Sequence, residues 1–164
     1  MKRLPVIVAI LLCASLASAQ AASGNAKGKS AAPMTHEARI VTPDKLMWSP
    51  LVPGIEMAVV QGNPNGAGHF VIRLRGAEAA KIPPHWHPTD EYVTVLSGDA
   101  RVGMGKTWDD AQLKEAAPIH TSVLLPAHMP HFAQMTKGTE VEVSGAGPFV
   151  INYVNPADDP NKKK

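Results

Sequence analysis

From residue 55 to residue 154, short β-prone runs alternate with turn signals at spacings of about 8–12 residues, and no long helical period interrupts them. A chain with that rhythm folds as all-β, in a sandwich or a barrel. The runs fall at 55–61, 69–75, 92–97, 100–105, 121–125, 131–136, 139–144 and 149–154. Asn63-Pro64-Asn65-Gly66 separates the first two as a hairpin turn, and Gly98-Asp99 joins the next pair. Lys137-Gly138 and residues 145–148 mark the last turns. Residues 108–116 leave room for one helical turn or two.

The two ends read differently. Met1-Lys2-Arg3 opens on positive charge, residues 4–16 are almost wholly apolar, and Ala17-Ser18-Ala19 has the small-x-small pattern of a signal-peptidase site. An apolar run of about 13 residues falls short of the roughly 20 needed to span a bilayer. Residues 1–19 are therefore expected to be a cleavable export signal, which implies a periplasmic or secreted protein with no membrane attachment after cleavage. Cutting after Ala19 leaves 145 residues, suited to one domain. The only cysteine, Cys13, leaves with the signal, so the mature chain has neither a disulfide framework nor a thiol nucleophile. The formal net charge of +2 falls to zero once Lys2 and Arg3 are removed. A neutral chain gives no reason to expect a nucleic-acid partner. Residues 20–33 lack any large apolar side chain, so 20–40 is expected to be a flexible spacer, 41–155 the domain, and the lysine-ended stretch 156–164 a disordered tail.

The chemistry concentrates in Pro83-Pro84-His85-Trp86-His87-Pro88-Thr89-Asp90-Glu91. In an extended chain residues two apart face the same side, so His85 and His87 can converge while Trp86 points away. Glu91 opens the next strand and can bring a carboxylate to the same point. A fourth donor, His131, begins a strand after the turn Pro126-Ala127-His128-Met129-Pro130, where a facing sheet could present it to the cluster. Three imidazoles and a carboxylate suit one divalent ion, with Fe, Mn and Zn as the candidates. The alternative is a set of satisfied polar histidines in a barrel mouth. His128 is open between a turn residue and a supporting or alternative ligand.

These residues resemble the motifs of the cupins. His-x-His, three residues, Glu, six residues and Gly is reproduced by His85, His87, Glu91 and Gly98 and is similar to the first cupin motif. The second motif, Pro-x-Gly-x-x-His-x-x-x-Asn, is met by Pro126 and His131, while His128 stands in the glycine position, Met135 in that of the asparagine, and His120 where a leading glycine is usual. The resemblance spans roughly residues 54–153 and implies a single cupin barrel, a double-stranded β-helix or jelly roll. It also implies a mononuclear metal site at His85, His87, Glu91 and His131, and a homodimer that abuts or exchanges edge strands. Alternation from the ligands together with cupin precedent places Arg73, Val93, Val95, Val102, Met104, Ala133 and Met135 inward. An inward Arg73 would anchor a substrate carboxylate; an outward one would be a solvated surface charge. Three functions follow for a site with open coordination positions: a dioxygenase-like enzyme on a small organic substrate, a lyase, isomerase or hydrolytic enzyme using a redox-inert ion with Glu91 or a bound hydroxide as base, or a module that only binds a small molecule or metal.

Overall fold

The computed structural model describes residues 38–162. The export signal expected over residues 1–19, and the spacer expected over 20–40 apart from its last three residues, lie outside that range.

Ten strands follow in chain order: β1 (Ser49–Val52), β2 (Ile55–Gln61), β3 (Gly68–Gly76), β4 (Ala80–Trp86), β5 (Glu91–Ser97), β6 (Ala100–Met104), β7 (Ser122–Leu125), β8 (His131–Met135), β9 (Glu140–Gly147) and β10 (Asn152–Tyr153). They form a six-stranded sheet in the order β1-β2-β3-β9-β5-β7 and a four-stranded sheet in the order β10-β4-β8-β6. Neighbouring strands pair antiparallel throughout. Strands distant in sequence are neighbours in both sheets, the jelly-roll arrangement that the motifs imply.

The expected strand runs match this order, and the two strands they leave out both contain proline. Pro50 lies in β1, at the edge of its sheet, where a missing N–H costs no ladder bond. Pro83 and Pro84 lie in β4, where the register with β8 shifts between Ile82 and His85 and so absorbs them. The short helical segment expected within 108–116 is a 3-10 turn at Asp110–Leu113, capped by the Asp109 carboxylate accepting from the Ala111 N–H. Where a disordered tail is expected, the structure has two further 3-10 turns, Pro156–Asp158 and Pro160–Lys162.

The core lies between the sheets. Ile55, Phe70, Ile72, Leu74, Val95, Val141 and Val143 are buried there from the large sheet, with Met135 from β8 and Ala80 and Ala100 beside it. Burying one large aliphatic or aromatic side chain contributes about 1.5–3 kcal/mol. Phe132 is wholly buried but alternates to the other face of β8, against the Trp108 ring at 5.1 Å.

One tight turn ties the first motif to this frame. Gly98 has φ +78°, and a Cβ on it would lie 2.6 Å from the Thr139 Cα. Thr139 is fully buried because its hydroxyl donates to the Asp99 carbonyl at 3.0 Å and accepts from the Asp99 N–H at 3.0 Å. Gly98→Ala therefore adds left-handed strain to a backbone overlap, and destabilises the fold by about 3 kcal/mol. A urea-unfolding midpoint that does not move would contradict this.

Candidate functional site

The fold delivers four buried polar side chains to one place. His85 on β4 and His131 on β8 are direct cross-strand partners, with ring centroids 4.3 Å apart. His87 follows β4 by one residue, and its ring lies 5.1 Å from that of His85 and 5.3 Å from that of His131. Glu91, the first residue of β5, reaches in from the opposite sheet. Its Oε2 lies 3.3 Å from His87 Nε2 and 3.4 Å from His131 Nε2. All four are buried. His131 thus joins the cluster from the strand beside His85, not from a facing sheet as expected; Glu91 is the group that crosses the barrel.

Two hydrogen bonds lock the segments that carry these residues. The His128 N–H donates to the His87 carbonyl at 2.8 Å, and the Ala127 N–H donates to the Asp90 carboxylate at 2.8 Å. The turn before His131 is thereby fastened to the loop between His87 and Glu91.

Backbone carbonyls set the chemical state of each imidazole. His85 Nδ1 donates to the Pro83 carbonyl at 2.8 Å, His87 Nδ1 to the Val150 carbonyl at 2.7 Å, and His131 Nδ1 to the Met129 carbonyl at 3.0 Å. A carbonyl can only accept, so the proton of each neutral ring sits on Nδ1 and the Nε2 lone pair is free. The buried Nε2 atoms of His87 and His131 have no hydrogen-bond partner, despite the nearby carboxylate. Burial, then the neighbouring His131 and His87, push His85 down to about 3, so its ring is neutral at neutral pH. Burial would raise Glu91, but His131 and His87 outweigh it and hold the carboxyl down to about 2.

Three Nε2 atoms and an ionised carboxylate therefore converge on one point, an arrangement that a cation, whether a proton or a metal ion, completes. His85, His87 and His131 each offer a ligand atom, all within 4.8 Å of one another, and could hold a metal ion. The donor set fits a divalent ion of borderline character.

The other residues singled out by sequence divide. Val93, Val102, Ala133 and Met135 line a cavity of about 60 Å³ beside the histidines, and Val95 is buried. Met104 is 37% exposed and does not line that cavity. Arg73 is not an inward anchor. On β3 the buried positions are Phe70, Ile72 and Leu74, so Arg73 alternates outward, where it pairs with Glu140 at 3.0 Å and Glu142 at 3.5 Å. His128 is exposed, with its ring 5.0 Å from that of Trp86. Its φ of +61° is what the glycine position of the motif demands, and His120 at φ +69° does the same at the leading position. His128 is a turn residue.

Sequence reasoning missed Phe149, whose ring stacks on His87 at 4.9 Å and 17°. It also missed the orienting carbonyls of Pro83, Met129 and Val150, which carry no side-chain signal.

A sequence model described as the ChrR cupin-like domain matches residues 36–112. No curated protein matches the chain. Among solved structures, the polyketide cyclase RemF from Streptomyces resistomycificus is similar at 16% identity and TM-score 0.59, over 76% of this chain and 90% of that one. A candidate acetylacetone dioxygenase from Methylibium petroleiphilum is similar at 18% identity and TM-score 0.55, over 76% and 86%. An RmlC-like cupin from Shewanella frigidimarina is similar at 13% identity and TM-score 0.53, over 67% and 91%. At these identities the likeness is one of fold. Together with the family match over residues 36–112 and the two-sheet jelly roll around three converging histidines, it identifies the fold as that of a cupin.

Proposed function

We propose that the protein is an exported cupin that binds one divalent ion through His85, His87, Glu91 and His131, and that it catalyses a dioxygenase-type reaction on a small organic molecule. The observation that carries the metal centre is the convergence of three imidazoles, each anchored to a carbonyl through Nδ1, on the Glu91 carboxylate, with two Nε2 atoms buried without a hydrogen-bond partner. When bound, Fe or Mn supplies redox chemistry with O₂ and Zn supplies Lewis acidity.

The protein's own part is to orient and to exclude water. Carbonyls fix the three rings, and Phe149 holds the plane of His87. The cavity beside them is walled by aliphatic side chains such as Leu74, Val93 and Val143, and its titratable side chains at the metal end are His85, Glu91 and His131. Arg101 also borders it, but its guanidinium is turned outward to both Asp99 carboxylate oxygens at 2.7 and 2.6 Å.

That composition favours the oxygenase over a lyase or isomerase. Apart from the groups assigned to the ion and the engaged Arg101, the cavity walls carry no titratable side chain to serve as acid or base, and Glu91 is committed to the ion. Its role is that of a ligand. A polyketide cyclase and a candidate dioxygenase share the fold, so the scaffold alone favours neither chemistry. The homodimer implied by the motifs has a natural surface in Tyr92 and Leu124, an exposed cross-strand pair on β5 and the edge strand β7.

The test of the reaction class is oxygen uptake by Fe(II)-loaded protein offered short-chain β-diketones. Substrate-dependent uptake is expected from the Fe form and not from the Zn form. Turnover by the Zn form without O₂ consumption would replace the oxygenase with the lyase or isomerase.

A further inference from the structure

The cavity beside the histidines has one polar wall, formed by His85, Glu91 and His131, and a mainly aliphatic remainder that includes Leu74, Met135 and Val143; Arg101 and Gln134 also border it, Gln134 from a β8 position that alternates with the inward Ala133 and Met135. Its volume is about 60 Å³. A cavity of about 150 Å³ holds benzene, so this one has room for an aliphatic tail of about two or three carbons beyond the group held at the polar wall.

The cations near this end of the barrel are engaged elsewhere. Arg73 faces out to Glu140 and Glu142, and Arg101 faces out to Asp99 and to the carbonyls of Leu113 and Lys114. Lys81 lies over the Trp108 ring at 4.7 Å. A second carboxylate, a phosphate or a row of hydroxyls on the tail would be buried without partners, at a cost of roughly five- to 150-fold in affinity per group.

We infer that the ligand class of this site is a small chelator with a single polar head and a short, uncharged aliphatic tail. The inference rests on the metal centre proposed above, with the head at the ion and the tail in the cavity. Sugar-like and dianionic ligands are selected against by the same walls.

Cobalt(II)-loaded protein titrated with hydroxamates, followed by the visible bands of the ion, separates the two ideas. The probes are aceto-, propiono-, butyro- and benzohydroxamate, with succinic monohydroxamate as the charged-tail analogue. Affinity is expected to rise about fourfold per added methylene up to the propyl tail. It then falls at least tenfold for the phenyl and carboxylate tails. Met135→Ala, or Val143→Ala should that variant fail to fold, widens the cavity and restores benzohydroxamate binding. Protein that takes up no cobalt refutes the metal centre itself. Protein that takes up cobalt but binds the series with no dependence on tail length, or binds none of it, leaves the centre standing and overturns the ligand class.

Discussion

Replacing His87 by alanine lowers the affinity for a divalent ion by about a hundredfold or more while the strands stay in place. Loss of a supporting residue around a metal ligand typically costs 10- to 100-fold, and loss of the ligand itself removes more. The barrel should survive because His87 lies beyond the end of β4 and contributes no strand pairing of its own. What the variant removes is one of two buried imidazole Nε2 atoms that have no hydrogen-bond partner. His128→Gly is the matched control. It places glycine at a left-handed turn position 41 residues further along, outside the ligand set, and should retain the ion. Isothermal titration with Zn(II), beside a circular dichroism spectrum of each variant, reads both outcomes. A His87→Ala protein that binds as tightly as the parent would remove the site as drawn.

The second large effect is on stability, and it runs in opposite directions with metal and with acid. An ion that binds only the folded chain stabilises it by about 2.7 kcal/mol at a hundredfold excess over Kd. For a domain of this size that is a rise of roughly 10 °C in Tm. In metal-free protein the sign with pH follows from His85 and Glu91. His85 is held to about 3 in the fold against 6.5 for the free side chain, and Glu91 to about 2 against 4.5. Both bind fewer protons folded than unfolded, so stability falls as pH falls. The His85 contribution erodes from pH 6.5 downward, and the Glu91 contribution is lost from pH 4.5 toward 2. Protons also compete for the ligands, so the metal-dependent gain in Tm shrinks over the same acid range. Scanning calorimetry between pH 4 and 8, with and without Zn(II), measures both slopes. A Tm unchanged by metal at pH 7.5 would contradict the account.

Much of this was legible in the sequence for definite physical reasons. The period-two spacing of His85 and His87 survives folding because the chain there is extended, and Glu91 follows because a new strand must begin after Pro88. The glycine positions of the second motif were legible as well. Two histidines occupy them, and both adopt the positive φ that glycine would have supplied. Arg73 was left open between inward and outward because the inner face of β3 was inferred from the ligands, which lie on other strands. The face is set instead by Phe70, Ile72 and Leu74, which already alternated in the sequence. The stack of Phe149 on His87 was out of reach, since it joins residues 62 positions apart through a segment between β9 and β10. Backbone carbonyls that fix a tautomer leave no trace in residue identity at all.

Elemental analysis of the purified protein tests the central claim most directly when run beside a His85→Ala/Glu91→Ala variant. About one equivalent of Fe, Mn or Zn in the parent, lost from a variant that keeps its β-sheet spectrum, is the predicted result. No bound metal in the parent, or equal metal in both proteins, would contradict it.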